Sequence, residues 1–565
     1  MTSVYEQKPW LKAYPSDVPA EIDIPQKSVV DLFNEATDKW KDRTALVFYG
    51  KKMSFGELRE KTDRFANALA DLGIKKGQRV GLLALNSPEH VIAFFGILKT
   101  GAVVSSISPV YVSSEIKHQL DDGGVESIVC QDMLFDNVEK TGQEFRNVIL
   151  TNISESLPAT KKIFGKSILR GVYQKMAVPP AKIYKRKGFY QFQELLKKHP
   201  PDPPEVEFDL REDVATLQYT GGTTGPPKGV MSTHYGIASG DALFHAFYPF
   251  LEDGKESMLA YMPFYHAAGQ SFGLMSGIIH GYTLVILTTP ELDDIINSIV
   301  RNKVTFILGA PTIYELLKDY EKTDRVNWDR FKIMMSGADA LLESTAKEWK
   351  QRTGVTIHEC YGMTETVFNT HGNPLGKSRV GSIGVPITGT MAAILDPDED
   401  EFVPQGERGE LVMAGPQITK GYWNNEEATK DCEAIINGVR WWRSGDLAEM
   451  GEDGYFSIYD RKRDLIKYKG LRVYAREVEE VLKTHPQIRE TGVIGVRAPE
   501  VGENVKAMIV LEPDARGKLS EADILDYCKG KLTPYKIPKI IEFIGEIPKT
   551  DVGKVSRREL REEDL

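Results

Sequence analysis

The sequence predicts an α/β protein built on parallel sheet, with a smaller mixed α+β unit at its C-terminal end. Three observations predict it. Strand-like and helix-like stretches alternate along most of the chain, its 565 residues exceed what one hydrophobic core sustains, and the rhythm changes after Tyr455. The composition is 41% hydrophobic and 27% charged, which places the chain among soluble globular proteins. A net charge of −10 argues against a general nucleic-acid binder, whose affinity comes from excess Lys and Arg.

The elements follow in order. Ala45–Tyr49 reads as a strand turning at Gly50-Lys51. Ser54 and Glu57 then match a capping box, opening a helix with Leu58, Phe65, Leu69 and Leu72 on one face, stopped by Gly73. Val80–Leu85, Glu89–Lys99 and Ala102–Ser105 read as strand, helix and strand with short connections, a βαβ unit. The pattern recurs at Val304–Leu308, the helix after Pro311, Lys332–Met335 and Val355–Glu359. After Tyr455 comes the charge cluster Asp460-Arg461-Lys462-Arg463-Asp464. A helix around Glu477–Leu482, strands at Val493–Val496 and Val505–Leu511, and a helix capped by Ser520 then make a unit of small-domain size. The boundary is placed at Arg463, giving units 1–462 and 463–565.

Residues 161–198 break the rhythm. Lys and Arg are interleaved with Ile163, Phe164, Ile168, Leu169, Val172 and Tyr173, and Glu194 is the only acid. Such a basic amphipathic stretch suits an anionic membrane surface, and equally a solvated insertion packed on its own domain. The four cysteines, Cys130, Cys360, Cys432 and Cys528, show no metal-ligand spacing and suggest a reducing compartment. With no signal-peptide core and no apolar run of membrane-spanning length, a cytoplasmic location is expected.

The stretch Gln218–Val230 concentrates the chemistry: Gln-Tyr-Thr-Gly-Gly-Thr-Thr-Gly-Pro-Pro-Lys-Gly-Val, after a buried strand at Asp213–Tyr219. Glycines let the backbone approach a ligand, so free N–H groups, threonine hydroxyls and Lys228 can converge on a polyphosphate. A glycine-rich surface turn fits the same letters. It is not a Walker loop, because Gly229 rather than Ser or Thr follows the lysine.

Further stretches decide. His358–Thr366 reads His-Glu-Cys-Tyr-Gly-Met-Thr-Glu-Thr, Ser444–Leu447 reads Ser-Gly-Asp-Leu, and Lys549–Leu560 reads Lys-Thr-Asp-Val-Gly-Lys-Val-Ser-Arg-Arg-Glu-Leu. In this order the motifs resemble the adenylate-forming superfamily of acyl-CoA synthetases, aryl-acid ligases, luciferases and adenylation domains. The resemblance covers nearly the whole chain. It implies a large N-terminal domain of α/β sheets plus a small β-barrel, joined through a hinge at Arg463 to a small mobile α+β domain. It implies ATP, Mg²⁺ and CoA as partners in activating a carboxylic acid to an acyl-adenylate and then a thioester.

Residue roles follow from the same resemblance. Thr220, Gly221, Gly222, Thr223, Thr224, Gly225 and Lys228 would hold the β- and γ-phosphates. Glu365 would ligate Mg²⁺ and Thr364 would meet the α-phosphate. Tyr361 and Gly362 would pack on adenine, with Gly337, Ala338 and Asp339 lining the base. Asp446 would hold the ribose hydroxyls, with Arg461 beside them. His266 would gate or orient at the carboxylate, and Gly269 and Gly273 would line the acyl tunnel. Lys554 would bridge substrate carboxylate and α-phosphate, as a compact cation between two anions. Lys467 and Gly470 would serve the thioester step. One departure stands at the hinge, where Lys462 and Arg463 replace the family's Leu-Lys.

The loop text and the basic insertion most resemble long-chain fatty acyl-CoA synthetases. A medium-chain, hydroxy- or aryl-acid CoA ligase, an enzyme loading a separate carrier protein, and a non-catalytic acyl or nucleotide binder are the competing readings. Some fatty-acid relatives dimerise, so a homodimer is admitted by the resemblance.

Overall fold

The computed structural model describes residues 4–157, 186–220, 226–469, 471–549 and 555–562. Among these, the strands form four sheets. The capping box at Ser54 and Glu57 is present and opens the helix Phe55–Asp71. Gly73 takes φ +81°, the left-handed conformation that ends a helix.

The largest sheet has nine strands, with a parallel centre made by Ile357–Gly362, Ile333–Ser336, Phe306–Gly309, Ser257–Ala260, Thr283–Ile286 and Thr44–Phe48. A seven-stranded sheet carries the predicted βαβ unit, whose strands Arg79–Leu83 and Val103–Ser106 pair in parallel. Strand Thr44–Phe48 does not join them. It pairs with Thr283–Ile286 in the other sheet, so the helix Phe55–Asp71 crosses between the two layers. Local periodicity could not reveal this, because it reports the type of an element and not its sheet.

The helix Pro88–Lys99 is buried along its whole length. A helix apolar on every side needs partners on every side, and it packs against helices on the core face. Its three polar residues each find a partner: the Ser156 hydroxyl lies 2.5 Å from Glu89 Oε1, His90 Nδ1 lies 3.1 Å from the Ala84 carbonyl, and the Lys99 ammonium pairs with Asp63, while Glu89 Oε2 and His90 Nε2 have no partner among the described residues.

Where the resemblance implies a small β-barrel, the chain forms a five-stranded antiparallel sheet centred on the long strand Val439–Met450. A fourth sheet of five strands, from Ile466–Tyr468 to Ile540–Phe543, has its own core around Val478, Leu482, Val493, Val505 and Ile524. Of the basic stretch, 161–185 lies outside the described residues. Its remainder includes the helix Phe192–Lys198, which buries Phe192, Leu195 and Leu196 and sets Phe192 against Phe65 at 4.5 Å between ring centres. None of the described helices is long and apolar enough to cross a membrane.

The junction between the first and third sheets depends on Gly384. It takes φ +90°, and a Cβ there would stand 2.2 Å from the Gly372 backbone. Its carbonyl accepts from the Phe456 N–H at 2.8 Å, holding the strand Phe456–Arg461 against the large sheet. Gly384→Ala is therefore expected to cost about 2 kcal/mol or more, through backbone strain plus collision. A urea midpoint unchanged from the parent would contradict this.

Candidate active site

The parallel strands Ile333–Ser336 and Ile357–Gly362 end side by side, and the chain that follows each carboxyl end forms one wall of a cleft. After the first, a Cβ at Gly337 would stand 3.1 Å from Cys360 Sγ, and Ala338 takes φ +69°. After the second, a helical turn Thr364–Thr366 presents Glu365, and Val367 takes φ +59°. Left-handed backbone at alanine and at a β-branched residue is costly and is held only where neighbours enforce it. Gly362 has no room for a side chain, since a Cβ would stand 2.8 Å from the Phe368 carbonyl.

The second wall is the hairpin Val214–Tyr219 and Gly229–Thr233, whose turn is the glycine-rich loop. Residues 221–225 lie outside the described residues, so Gly221, Gly222, Thr223, Thr224 and Gly225 are not placed. Thr220 and Lys228 close the base of the loop: the Thr220 N–H donates to the Lys228 carbonyl at 3.0 Å. His118 Nε2 lies 3.0 Å from the Pro227 carbonyl on the outer side.

Tyr422 connects this hairpin to Glu365. Its hydroxyl donates to Glu365 Oε1 at 2.6 Å, and Lys228 Nζ sits 4.6 Å above its ring. The Thr419 N–H also donates to the Glu365 carbonyl at 2.7 Å. Burial raises the Glu365 carboxyl above its ordinary value, against the lowering effect of the Tyr422 hydrogen bond and the cations Arg461 and Lys228. Sequence reading missed Tyr422. It lies 57 positions beyond Glu365, and nothing in Lys-Gly-Tyr-Trp marks it.

The third wall is the antiparallel sheet. Asp446 is buried and uses both oxygens: Oδ2 accepts from the Tyr361 hydroxyl at 2.5 Å, and Oδ1 pairs with Arg461 Nε at 2.8 Å. The Asp446 charge raises the Arg461 guanidinium further, and the Tyr361 hydroxyl is pushed well above its usual value by burial. Thus Lys228, Tyr422 and Glu365 form one polar group and Arg461, Asp446 and Tyr361 a second, and the charges of Glu365 and Arg461 act on one another between them. Asp339 is exposed at its margin.

His266 begins the approach from the side, half-buried in Pro-Phe-Tyr-His, where its Nδ1 accepts from the Ala268 N–H at 3.4 Å. The segment Gly269–Ser276 that follows is π-helical, a rare geometry that recurs at functional sites. At Gly269 the space a side chain would take is filled by the Pro263 carbonyl, 2.0 Å from an ideal Cβ. Its glycine therefore serves backbone approach. A Cβ at Gly273 would touch the Phe264 ring at 3.3 Å.

Arg463 is exposed in the short turn Lys462–Asp464 that leads to the fourth sheet. Lys467 is exposed too, with its ammonium 3.5 Å from Asp398. Lys554 and Gly470 lie outside the described residues. The helix after Lys554 is anchored by Arg557, which pairs with Glu479 at 2.8 Å, Asp464 at 3.3 Å and Asp460 at 3.4 Å.

Cations and backbone turns facing a buried carboxylate, with an aromatic ring and a second carboxylate alongside, make a cleft chemically suited to a phosphorylated nucleoside. The chain belongs to the AMP-binding enzyme family: the family's model matches residues 33–423, and the model of the AMP-binding enzyme C-terminal domain matches 477–554. It is 36% identical over 562 residues to a long-chain-fatty-acid–CoA ligase of Bacillus subtilis, covering 99% of this chain and 98% of that one. A long-chain-fatty-acid–CoA ligase of Escherichia coli is 34% identical over 568 residues, with coverage of 99% and 98%. Among solved structures, ATP-bound MatB from Rhodopseudomonas palustris superposes with a TM-score of 0.80 at 26% identity, covering 94% of this chain and 98% of that one. A fatty acyl CoA synthetase of Mycobacterium tuberculosis gives 0.69 at 25% identity, covering 96% and 99%.

Removing the Tyr422 hydroxyl tests the network. The hydrogen bond it donates favours the charged form of Glu365, so Tyr422→Phe raises that carboxyl further. The loss is full where Glu365 is ionised and shrinks as pH falls and the carboxyl takes up its own proton. About 1–3 kcal/mol of destabilisation is expected at neutral pH, and less in acid. Urea unfolding of both proteins across that range checks the direction; a difference that grew in acid would contradict it.

Proposed function

We propose that this chain is an AMP-forming acid–thiol ligase that activates fatty acids and passes them to CoA. The observation that carries the reading is full-length similarity to two long-chain-fatty-acid–CoA ligases, in a chain whose candidate site gathers two buried carboxylates with their cations. ATP and CoA use accords with the family.

In the first half-reaction the acid's carboxylate oxygen attacks the α-phosphorus of ATP, and pyrophosphate leaves. The carboxylate is already ionised at neutral pH, so no general base is required. Approach to an anionic centre needs positioning and positive charge. Lys228 and the loop from Thr220 hold the β- and γ-phosphates, and Thr364 and Arg461 stand near the α-phosphate. Tyr361 and Gly362 pack on adenine, with Gly337, Ala338 and Asp339 along its edge. Asp446 accepts from the ribose hydroxyls; a carboxylate has about four lone-pair sites, so its bonds to Tyr361 and Arg461 leave capacity. Lys554, from the C-terminal unit, bridges the two reacting anions. His266 orients the acid, and the segment through Gly269 and Gly273 borders the acyl group.

The cleft fits Mg²⁺. Glu365 is a buried carboxylate whose one side-chain donor among the described residues is Tyr422, and Mg²⁺ is bound through one or two carboxylates plus substrate phosphates. The ion would neutralise phosphate charge there. Glu365 would hold it, oriented by Tyr422.

In the second half-reaction the CoA sulfur attacks the acyl carbon, the bond to AMP breaks, and the thiol proton is released. The C-terminal unit, 463–565, turns about Arg463 so that Lys467 and Gly470 replace Lys554 at the cleft.

Two experiments test the reading. With ATP and CoA, a panel of acids is expected to give highest kcat/KM for fatty acids beyond medium length; preference for a hydroxy-acid or aryl acid, or turnover only with a carrier protein, would overturn the substrate assignment. Lys554→Ala is expected to lower acid-dependent ATP–pyrophosphate exchange by at least a hundredfold, about 2.7 kcal/mol, while thioester formation from supplied acyl-adenylate persists. Unchanged exchange would remove Lys554 from the mechanism.

A further inference from the structure

Where helix His234–Phe247 meets the end of the segment Gly269–Ile279 lies a second cluster of titratable groups. Asp241 and His245 are one helical turn apart on one face of that helix. His280 follows the turn Gly277–Ile279 and stacks on His245, with ring centres 3.3 Å apart and planes tilted by 20°. One ligand atom from each of Asp241, His245 and His280 lies within 4.8 Å of the others.

The surroundings orient both rings. His280 Nε2 faces Asp241 Oδ2 at 2.9 Å, while its Nδ1 faces Asp253 Oδ1 at 2.7 Å. His245 Nε2 faces the Ser276 hydroxyl at 3.0 Å, and its Nδ1 the Tyr282 hydroxyl at 3.4 Å. His280, with Nδ1 held by the Asp253 carboxylate and Nε2 turned into the cluster, has the arrangement that metal-ligating histidines adopt. Asp241 is buried, and its Oδ1 has no hydrogen-bond partner among the described residues. His280 balances the charge at Oδ2, and the unpartnered Oδ1 leaves a position that a further cation can take. The site is not sealed, because the His280 side chain keeps 17% of its surface and Asp253 keeps 49%.

We propose that Asp241, His245 and His280 form a binding site for one divalent transition-metal ion of the Zn²⁺ class, with Asp253 orienting His280 from outside. Two nitrogens and a carboxylate oxygen suit Zn²⁺, Co²⁺ or Ni²⁺, whereas Mg²⁺ and Ca²⁺ take all-oxygen sets. Ligand atoms around a tetrahedral Zn²⁺ stand roughly 3.4 Å apart at bond lengths of about 2.1 Å, so the widest separation in the cluster must contract by up to about 1.4 Å. Side-chain rotations supply that movement, and water takes the fourth position. The ion would clamp helix His234–Phe247 to the end of the segment Gly269–Ile279. This clamp is independent of the nucleotide cleft and of the substrate assignment.

The test uses the full chain, stripped with chelator and titrated with Zn²⁺ by calorimetry and with Co²⁺ by visible absorption. About one equivalent is expected to bind, with Co²⁺ giving the d–d bands of a four-coordinate nitrogen–oxygen site. His280→Gln and His245→Gln should each abolish binding, and Asp253→Asn should weaken it about 10- to 100-fold. Cys432→Ser and Glu365→Gln should leave it intact. No stoichiometric uptake by the parent would overturn the proposal, leaving the cluster an ion-pair triad. Uptake retained in both histidine variants would overturn it equally. Circular dichroism reports folding of each variant; should His280→Gln fail to fold, His245→Gln decides alone.

Discussion

A single buried carboxylate, Asp446, sets the relative position of three parts of this protein. It projects from the long strand of the antiparallel sheet, takes the Tyr361 hydroxyl from the nine-stranded sheet, and pairs with Arg461 on the strand that leads into the C-terminal unit. In a low-dielectric site such a charge is tolerable only when its partners are placed well, and removing one partner exposes the full desolvation cost. The nucleotide-type cleft therefore inherits its geometry from an interaction that also sustains the fold. Glu365 repeats the pattern on the other side, held by the Tyr422 hydroxyl, with the cation Lys228 over the Tyr422 ring.

From Arg461 onward the charges change partners. Asp460 accepts from the Arg476 N–H and pairs with Arg557, Lys462 pairs with Glu410, and Asp464 pairs with Arg557 and Arg561. The segment 460–464 is thus stitched to the antiparallel sheet on one side and to the C-terminal unit on the other. Arg557 matters most here, because burial among three acids holds its guanidinium and, with it, the helix that follows Lys554.

Much of this was legible in the sequence where the signal is local. Ser54 and Glu57 cap their helix as their spacing requires, Ser520 caps Glu521–Cys528, and the βαβ letters of 80–105 give parallel neighbours. The ordered motifs also led to the family and to Tyr361, Asp446 and Arg461, which stand together in space. What was not legible depends on distance along the chain. Nothing near residue 45 says that its strand joins residue 284, and nothing near 422 says that its hydroxyl reaches residue 365. Gly269 shows a subtler limit: a small residue in a sequence reads as space, whereas here another stretch of backbone occupies it.

The pairing of Asp446 opposite Arg461 carries a consequence for how this protein tolerates change in length. Neighbouring strand residues point to opposite faces, so Asp460 serves the C-terminal unit while Arg461 serves the cleft. Deleting or inserting one residue in the turn at 451–455 would slip the register and exchange those two faces. Slipped one way, Asp460 would stand opposite Asp446; slipped the other way, Arg461 would face Arg476 and Arg557. Surface loops elsewhere can lengthen at modest entropic cost, but this turn acts as a counted spacer whose length is part of the site.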